Sequence, residues 1–240
     1  VAVALNTTFG TATNATNVTT RTPPLPTNWA IGQLGLSILT LKGTAASATV
    51  SAGWTLLGPF RSVTGTTSVS FYAAHKILVS GEAAPTFTIT GNTTTTDTLS
   101  RSYTLSDAAG GLGTPGTLYQ PTGTISGTGA SLGPVSGVPV PANSGVVLFG
   151  AMGDDFVTPV APTGWTTMGG QELTTNGVAM LPFFQAFTTA GTSANTTITA
   201  QPSAATLAVG VQIPVLQIAV TSSLPVARAG YSRFRPYLVR

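Results

Sequence analysis

The sequence predicts an all-β chain: two tandem β-sandwich, jelly-roll-like domains followed by an extended basic C-terminal tail. Three observations lead there. Thr occurs 44 times among 240 residues, with 28 Gly and 17 Pro, a composition that favours strands and turns over helices. No window of useful length places apolar residues at i, i+3, i+4 and i+7, the signature of an amphipathic helix. A series of short motifs recurs at a spacing of about 111 residues.

The repeat is defined by five elements kept in order. An apolar run comes first: Leu34, Leu36, Ile38, Leu39 and Leu41 in one copy, Val146 to Phe149 in the other. Ala52-Gly53-Trp54-Thr55 then matches Thr163-Gly164-Trp165-Thr166. Ser70-Phe71-Tyr72 matches Phe183-Phe184 with a one-residue slip, and Thr86 to Thr90 matches Thr197-Ile198-Thr199. The last element alternates as Leu99, Arg101, Tyr103, Leu105 and as Val209, Val211, Ile213, Val215, the period of a strand with one buried face. Seven or eight such strands per copy imply a sandwich.

Five segments follow. Residues 1–27, Thr- and Asn-rich and ending Pro23-Pro24-Leu25-Pro26, form an N-terminal arm or edge strand. Residues 28–106 form the first sandwich. The Gly/Pro-rich stretch 107–129 reads as a linker, with Leu118, Tyr119 and Ile125 packing in part. Residues 130–224 form the second sandwich, and 225–240 a basic, aromatic tail.

Only 6% of residues are charged, against roughly 25% in an ordinary soluble chain. Six carboxylates, one His and no Cys leave little for acid–base chemistry and exclude disulfides, thiolate catalysis and Cys-ligated zinc. The start, VAVALNTTFG, has no basic segment ahead of its short apolar run, so no secretory signal is expected. The longest apolar stretch, Val209 to Val220, is interrupted by Gln212, Pro214 and Gln217, so no membrane helix is expected. A mean hydropathy of +0.34 then points to surface hidden by neighbouring protein, or to Thr and Gly supplying solubility without charge. The charge is unevenly spread. Residues 121–227 hold Asp154, Asp155 and Glu172 with no base, while the last thirteen residues hold four Arg and no acid.

The series Leu36-Ser37-Ile38-Leu39, Ser51 to Leu56 around Gly53-Trp54, Phe71-Tyr72, and Glu82-Ala83-Ala84-Pro85-Thr86-Phe87-Thr88 resembles a β-sandwich domain of tailed-bacteriophage virion proteins and some bacterial surface proteins. The second copy keeps Ala161 to Thr166 but lacks the Glu and Pro ahead of Thr197-Ile198-Thr199. The arm and the tail lie outside the resemblance. It implies a virion or cell-surface structural role. Low charge and the lack of coiled-coil heptads or fibre-like repeats favour, within that role, a capsid decoration or cement protein, made in the host cytoplasm and located in the virion, with a minor tail or fibre-base component, or a carbohydrate-binding surface module using loops around the Gly-Trp-Thr turns, as alternatives. Expected partners are other virion proteins of capsid or tail, copies of the chain itself, and a host-surface glycan; nucleic acid is not favoured. The resemblance brings no catalytic site.

Candidate chemistry is sparse, and neither a catalytic site, a metal site nor a cofactor is expected. Trp54 and Trp165 could stack on sugars, but their equivalent positions suit core packing better. Asp154-Asp155 offers oxygen ligands for a hard cation but too few of them, so a turn is preferred. His75 has no second His or Cys beside it, and no Gly-x-Ser-x-Gly elbow is present to make it part of a triad. Asn6, Asn14, Asn17, Asn92 and Asn195 each precede a Thr by two, triplets that arise cheaply in so Thr-rich a chain. The distinctive segment is the tail, where Arg228, Arg233, Arg235 and Arg240 interleave with Tyr231, Phe234 and Tyr237. Arg and aromatic residues are favoured interface anchors, so these seven are the candidate partner-binding residues, ahead of a solvated disordered end and of phosphate and base contacts to nucleic acid.

Overall fold

The computed structural model describes residues 1–217 apart from 44–45, 65–66, 92–96, 122–123, 126–129, 154–155, 170, 174–176 and 203–204. Its described elements are all strands. In the first repeat these are β1 (Ala4–Leu5), β2 (Thr13–Thr16), β3 (Thr20–Arg21), β4 (Leu34–Gly43), β5 (Ser47–Val50), β6 (Thr55–Thr64), β7 (Thr67–Ile77), β8 (Phe87–Thr90) and β9 (Asp97–Ser106). The second repeat holds β10 (Gly111–Leu112), β11 (Ser131–Val135), β12 (Pro139–Val140), β13 (Ser144–Met152), β14 (Phe156–Val160) and β15 (Thr166–Thr167). It continues with β16 (Gln171–Leu173), β17 (Val178–Phe187), β18 (Gly191–Thr192), β19 (Thr196–Pro202) and β20 (Ala208–Leu216).

The repeat seen in sequence is a repeat of topology. A large antiparallel sheet runs β1-β9-β4-β7-β6 in the first copy, with β2 also on β9, and β10-β20-β13-β17-β15 in the second, with β16 also on β17. A small sheet runs β3-β8-β5 in one and β11-β19-β14 in the other. Registers correspond strand by strand. Leu36 pairs with both His75 and Tyr103, and Val147 pairs with both Phe184 and Ile213. His75 and Phe184 are therefore equivalent positions, as are Tyr103 and Ile213, and Phe71-Tyr72 corresponds to Met180-Leu181 rather than to Phe183-Phe184.

Stretch 107–129 does not hang free between the copies. Its described part lies along β20: Gly113 N donates to Pro214 O, Gly116 N to Gln212 O, and Tyr119 and Ile125 bridge to Gly210 and Thr206. The same edge of the first large sheet is covered by residues 4–16, where Asn6 N donates to Thr104 O and Gly10 N to Ser102 O. The N-terminal stretch and the stretch between the copies are thus counterparts, each the outer edge of its own large sheet. Gly suits this position because the chain runs close to its neighbours: a Cβ on Gly116 would lie 2.6 Å from Val138 Cγ1.

The two large sheets pack face to face, so the layers run small sheet, large sheet, large sheet, small sheet. A central core joins both repeats: Leu36, Ile38, Phe71 and Tyr103 from the first meet Phe149, Met180, Val211 and Ile213 from the second. Each repeat keeps its own outer core between large and small sheet, around Trp54, Tyr72 and Phe87 in one and Trp165, Phe183 and Ile198 in the other. The central contact is reciprocal. β7 lies against β13 as β4 lies against β17, and β6 lies against β20 as β9 lies against β16. This is the pattern of a two-fold dimer interface, here made within one chain.

Burial on both faces of the large sheets accounts for the positive hydropathy. The strand β13 is buried at all nine positions. The polar residues of β4 and β9 that face the outer core are small hydroxyls, Ser37 bonding Ser102 at 2.7 Å, so they can be buried with their hydrogen bonds made.

Candidate functional site

Arg228, Tyr231, Arg233, Phe234, Arg235, Tyr237 and Arg240 lie outside the described residues, as do Asp154, Asp155 and Asn92. What is described is the chain up to Gln217, the root of the tail. β20 ends at Leu216, whose carbonyl accepts from Gly110 N at 3.1 Å. Gln217 follows, and its Nε2 donates to the carbonyl of Val1 at 2.5 Å. The N-terminus and the tail root therefore sit side by side at one pole of the molecule.

That pole carries a cleft of about 490 Å³ lined by Ile31, Gln33, Ser106, Asp107, Ala109 and Gln217. Asp107 has φ +56°, a left-handed conformation that Asp and Asn tolerate better than most residues. Ile31 is 68% exposed, and Val79 and Val1 are exposed too. Val79 is close to Ile31 because its neighbour Leu78 exchanges backbone hydrogen bonds with Gly32 and Gln33. Three of the five exposed large hydrophobics among the described residues thus gather at the tail root. On the other side of Leu216 a second cleft, about 540 Å³, is walled by Pro139, Val140, Pro141, Pro214 and Leu216.

The two Gly-Trp turns are local copies. Trp54 N donates to Ser51 O and Trp165 N to Pro162 O, closing four-residue turns with Gly53 at φ +86° and Gly164 at φ +83° in the third place. Only Gly takes that backbone without strain, as a type II turn requires. Both indoles are 8% exposed and fill the outer cores. Their burial is that of packing residues, although an edge of Trp165 still lines the groove beside its turn.

His75 lies in β7 on the face turned to the second repeat. A Cβ placed on Gly111 would stand 3.6 Å from its Cε1, so the imidazole packs against the first strand of the second repeat. Burial there lowers its pKa below the ordinary 6.5, because the charged ring would lose the hydration it has in water. Its neighbour Lys76 points to the opposite face, pairs with Glu82 at 2.8 Å and covers the Gly53 turn. Asp97 is at the far end of the sheet, opposite Lys42, six strand residues from the Leu36–His75 rung and so about 20 Å away at ~3.3 Å per residue. Its pKa is raised by burial, opposed by Lys42 and by the Thr16 hydroxyl that donates to Oδ1 at 3.3 Å. His75, Glu82 and Asp97 therefore do not converge. No group of three or more His, Cys, Asp or Glu suited to a metal is found among the described residues.

The remaining described cations act as ties. Arg101 stands in an apolar register, between Leu99 and Tyr103, on the face toward the second repeat. Its Nε donates to Gly10 O at 2.9 Å, its Nη1 to Gly169 O at 2.9 Å, and its guanidinium lies 5.2 Å from the Phe9 ring. It so joins the N-terminal segment, the first repeat and the second. Arg61 donates to Ala46 O and approaches the Tyr72 hydroxyl, while Gln120 donates to Arg61 O. Arg21 donates through Nε to Thr98 Oγ1 at 2.7 Å. Gln212, fully buried, accepts from Ser193 Oγ at 2.6 Å and donates to the carbonyls of Val135 and Ala194. Sequence reasoning passed over Arg101 and Gln212. Their signal was present: a charged or amide side chain inside an otherwise apolar strand. Of the triplet asparagines, Asn6 bonds Asn28 through its amide and Asn195 accepts from Gly137 N.

Comparison with protein-family models, curated proteins and solved structures finds no match for this chain.

Proposed function

We propose that this protein is a non-enzymatic structural component of a tailed-bacteriophage virion, a capsid decoration or cement protein held in place by its C-terminal tail. The observation that carries the reading is a division of labour. The body is a four-layer slab whose described cations hold chain segments together, and from Gln217, at one pole, the sequence continues into an Arg- and aromatic-rich tail. Such a body suits a fitted, load-sharing role, and such a tail suits capture by an acidic, pocketed partner. The Gly-Trp-Thr series supports the same class. Deleting residues 228–240 tests it: the truncated chain should keep its circular dichroism and melting profile and be lost from purified particles. Equal incorporation of truncated and full-length chains contradicts the proposal.

A second reading, a glycan-binding surface module, rests on one feature. A groove of about 450 Å³ beside the second Gly-Trp turn is lined by Thr163, Gln185, Asn195, Thr197 and Phe187, the amide, hydroxyl and aromatic groups that sugars use. In the first repeat the position of Gln185 is taken by Lys76, paired with Glu82. Binding on a glycan array that is lost in Gln185→Ala supports this reading; an array without signal removes it.

A further inference from the structure

We infer that the cleft at the tail root is the receptor for the tail of a second copy, so that two chains clasp pole to pole by exchanging residues 228–240. The inference rests on the proposed anchoring role of the tail and assigns its receptor to a second copy, so that the chain enters particles as a clasped pair.

Four observations lead to it. The cleft and the tail root share a wall, since Gln217 lines the first cleft and Leu216 the second. The exposed side chain of Ile31 lines it, and exposed Val79 and Val1 lie near through the hydrogen bonds of Leu78 and of Gln217, a patch of the kind that marks an interaction site. Asp107 supplies a carboxylate in the cleft, while the tail carries four Arg and no acid. Aromatic rings stack well on proline and aliphatic walls, and the second cleft offers Pro139, Pro141 and Pro214 to Tyr231, Phe234 or Tyr237.

Chain length permits exchange. Between Gln217 and Arg228 run ten residues, 218–227, with neither Arg nor aromatic. Eleven steps of extended chain span up to about 36 Å at ~3.3 Å per residue. That reach covers the adjoining cleft of the same chain and also permits crossing to an apposed pole, and the crosslinks below separate the two. Exchange between identical poles also closes on itself, giving a two-fold pair rather than an open filament.

The chain has no Cys, which makes the test direct. Ile31→Cys and Phe234→Cys are placed in separate full-length chains, mixed and oxidised mildly, with Thr64→Cys, at the opposite end of the sheet, replacing Ile31→Cys as control. A disulfide-linked heterodimer from the Ile31 and Phe234 chains, absent with the control, is the expected result. In the native sequence, Ile31→Glu should weaken self-association by at least tenfold in analytical ultracentrifugation, and Asp107→Asn, which tolerates the same backbone, should weaken it less and reduce its salt dependence. If the chain carrying both cysteines closes only within itself, exchange is wrong and the tail docks on its own pole. If no crosslink forms in either arrangement, the cleft is not the receptor. Both outcomes leave the particle-incorporation test of the proposed function standing, since no particle enters this experiment.

Discussion

Truncating Phe149 is the sharpest probe of how the two repeats depend on each other. Its ring belongs to the second repeat, is 1% exposed, and meets Phe71 of the first repeat edge to face with centroids 5.7 Å apart. Phe149→Ala removes a buried ring from the central core, a change that costs about 3–5 kcal/mol in well-packed interiors. For a chain of this size each kcal/mol moves the melting temperature by roughly 2–4 °C, so a fall on the order of 10 °C is expected. The central point is where the loss is felt. Trp29 and Trp54 report on the first repeat, and in a Trp165→Phe background they are the chain's only tryptophans. Because the central core joins Phe149 to first-repeat side chains, the Trp29 and Trp54 fluorescence transition should shift with the whole-chain circular dichroism transition. Phe183→Ala, equally buried but in the outer core of the second repeat, should shift the same single transition. If Phe149→Ala leaves the first-repeat fluorescence transition at its original temperature while the circular dichroism melt becomes biphasic, the repeats fold independently and the shared-core description is wrong.

Other outcomes follow from single groups. His75 is held neutral by burial, so between its ordinary pKa of 6.5 and its lower folded value the unfolded chain takes up a proton that the folded chain refuses. Stability should therefore fall as pH drops through that window and level off below it, and His75→Phe, the residue at the equivalent position of the second repeat, should flatten the fall in urea melts at pH 7.5 and 5.5. Tyr103 is fully buried with its hydroxyl unpartnered among the described residues, and burial pushes its pKa up; Tyr103→Phe should be neutral or stabilising by up to about 1 kcal/mol in the same melts. Gln212→Leu leaves the Ser193 hydroxyl only its Val138 partners and strands the buried carbonyl of Val135, and should cost about 1–3 kcal/mol, where Gln185→Leu, on the half-buried rim, should cost under 1. Gly164→Ala forces a Cβ onto φ +83° and should cost about 1–2 kcal/mol by denaturant titration.

Much of the fold was legible because its causes are local. The Gly-Trp turns, the alternation of Leu99 to Leu105 and of Val209 to Val215, and the 111-residue spacing all survive as equivalent places in equivalent sheets. The face-to-face union of the large sheets was not legible. It is a choice between partners, and an apolar strand such as β13 reads alike whether its second face meets its own repeat, another repeat or another molecule. The stretch 107–129 misled for a related reason. Its Gly and Pro read as a linker, yet an edge strand with neighbours packed close also favours Gly, and its outward side tolerates Pro. Arg101 was visible as a charge in an apolar register, but its carbonyl partners, Gly10 and Gly169, are set by chain crossings that no local pattern reports. The tail was singled out on composition, and its root was placed by the structure beside a cleft that sequence had no means of assembling from Ile31, Asp107 and Gln217.

The most direct measurement is cryo-electron microscopy of particles purified from the host lysate that contains this chain, paired with quantitative mass spectrometry of the same sample. A virion structural role predicts the chain at a fixed, reproducible stoichiometry, with density of two face-to-face repeats seated on the particle. Particles that are complete without the chain, with the protein left in the soluble fraction, would contradict it.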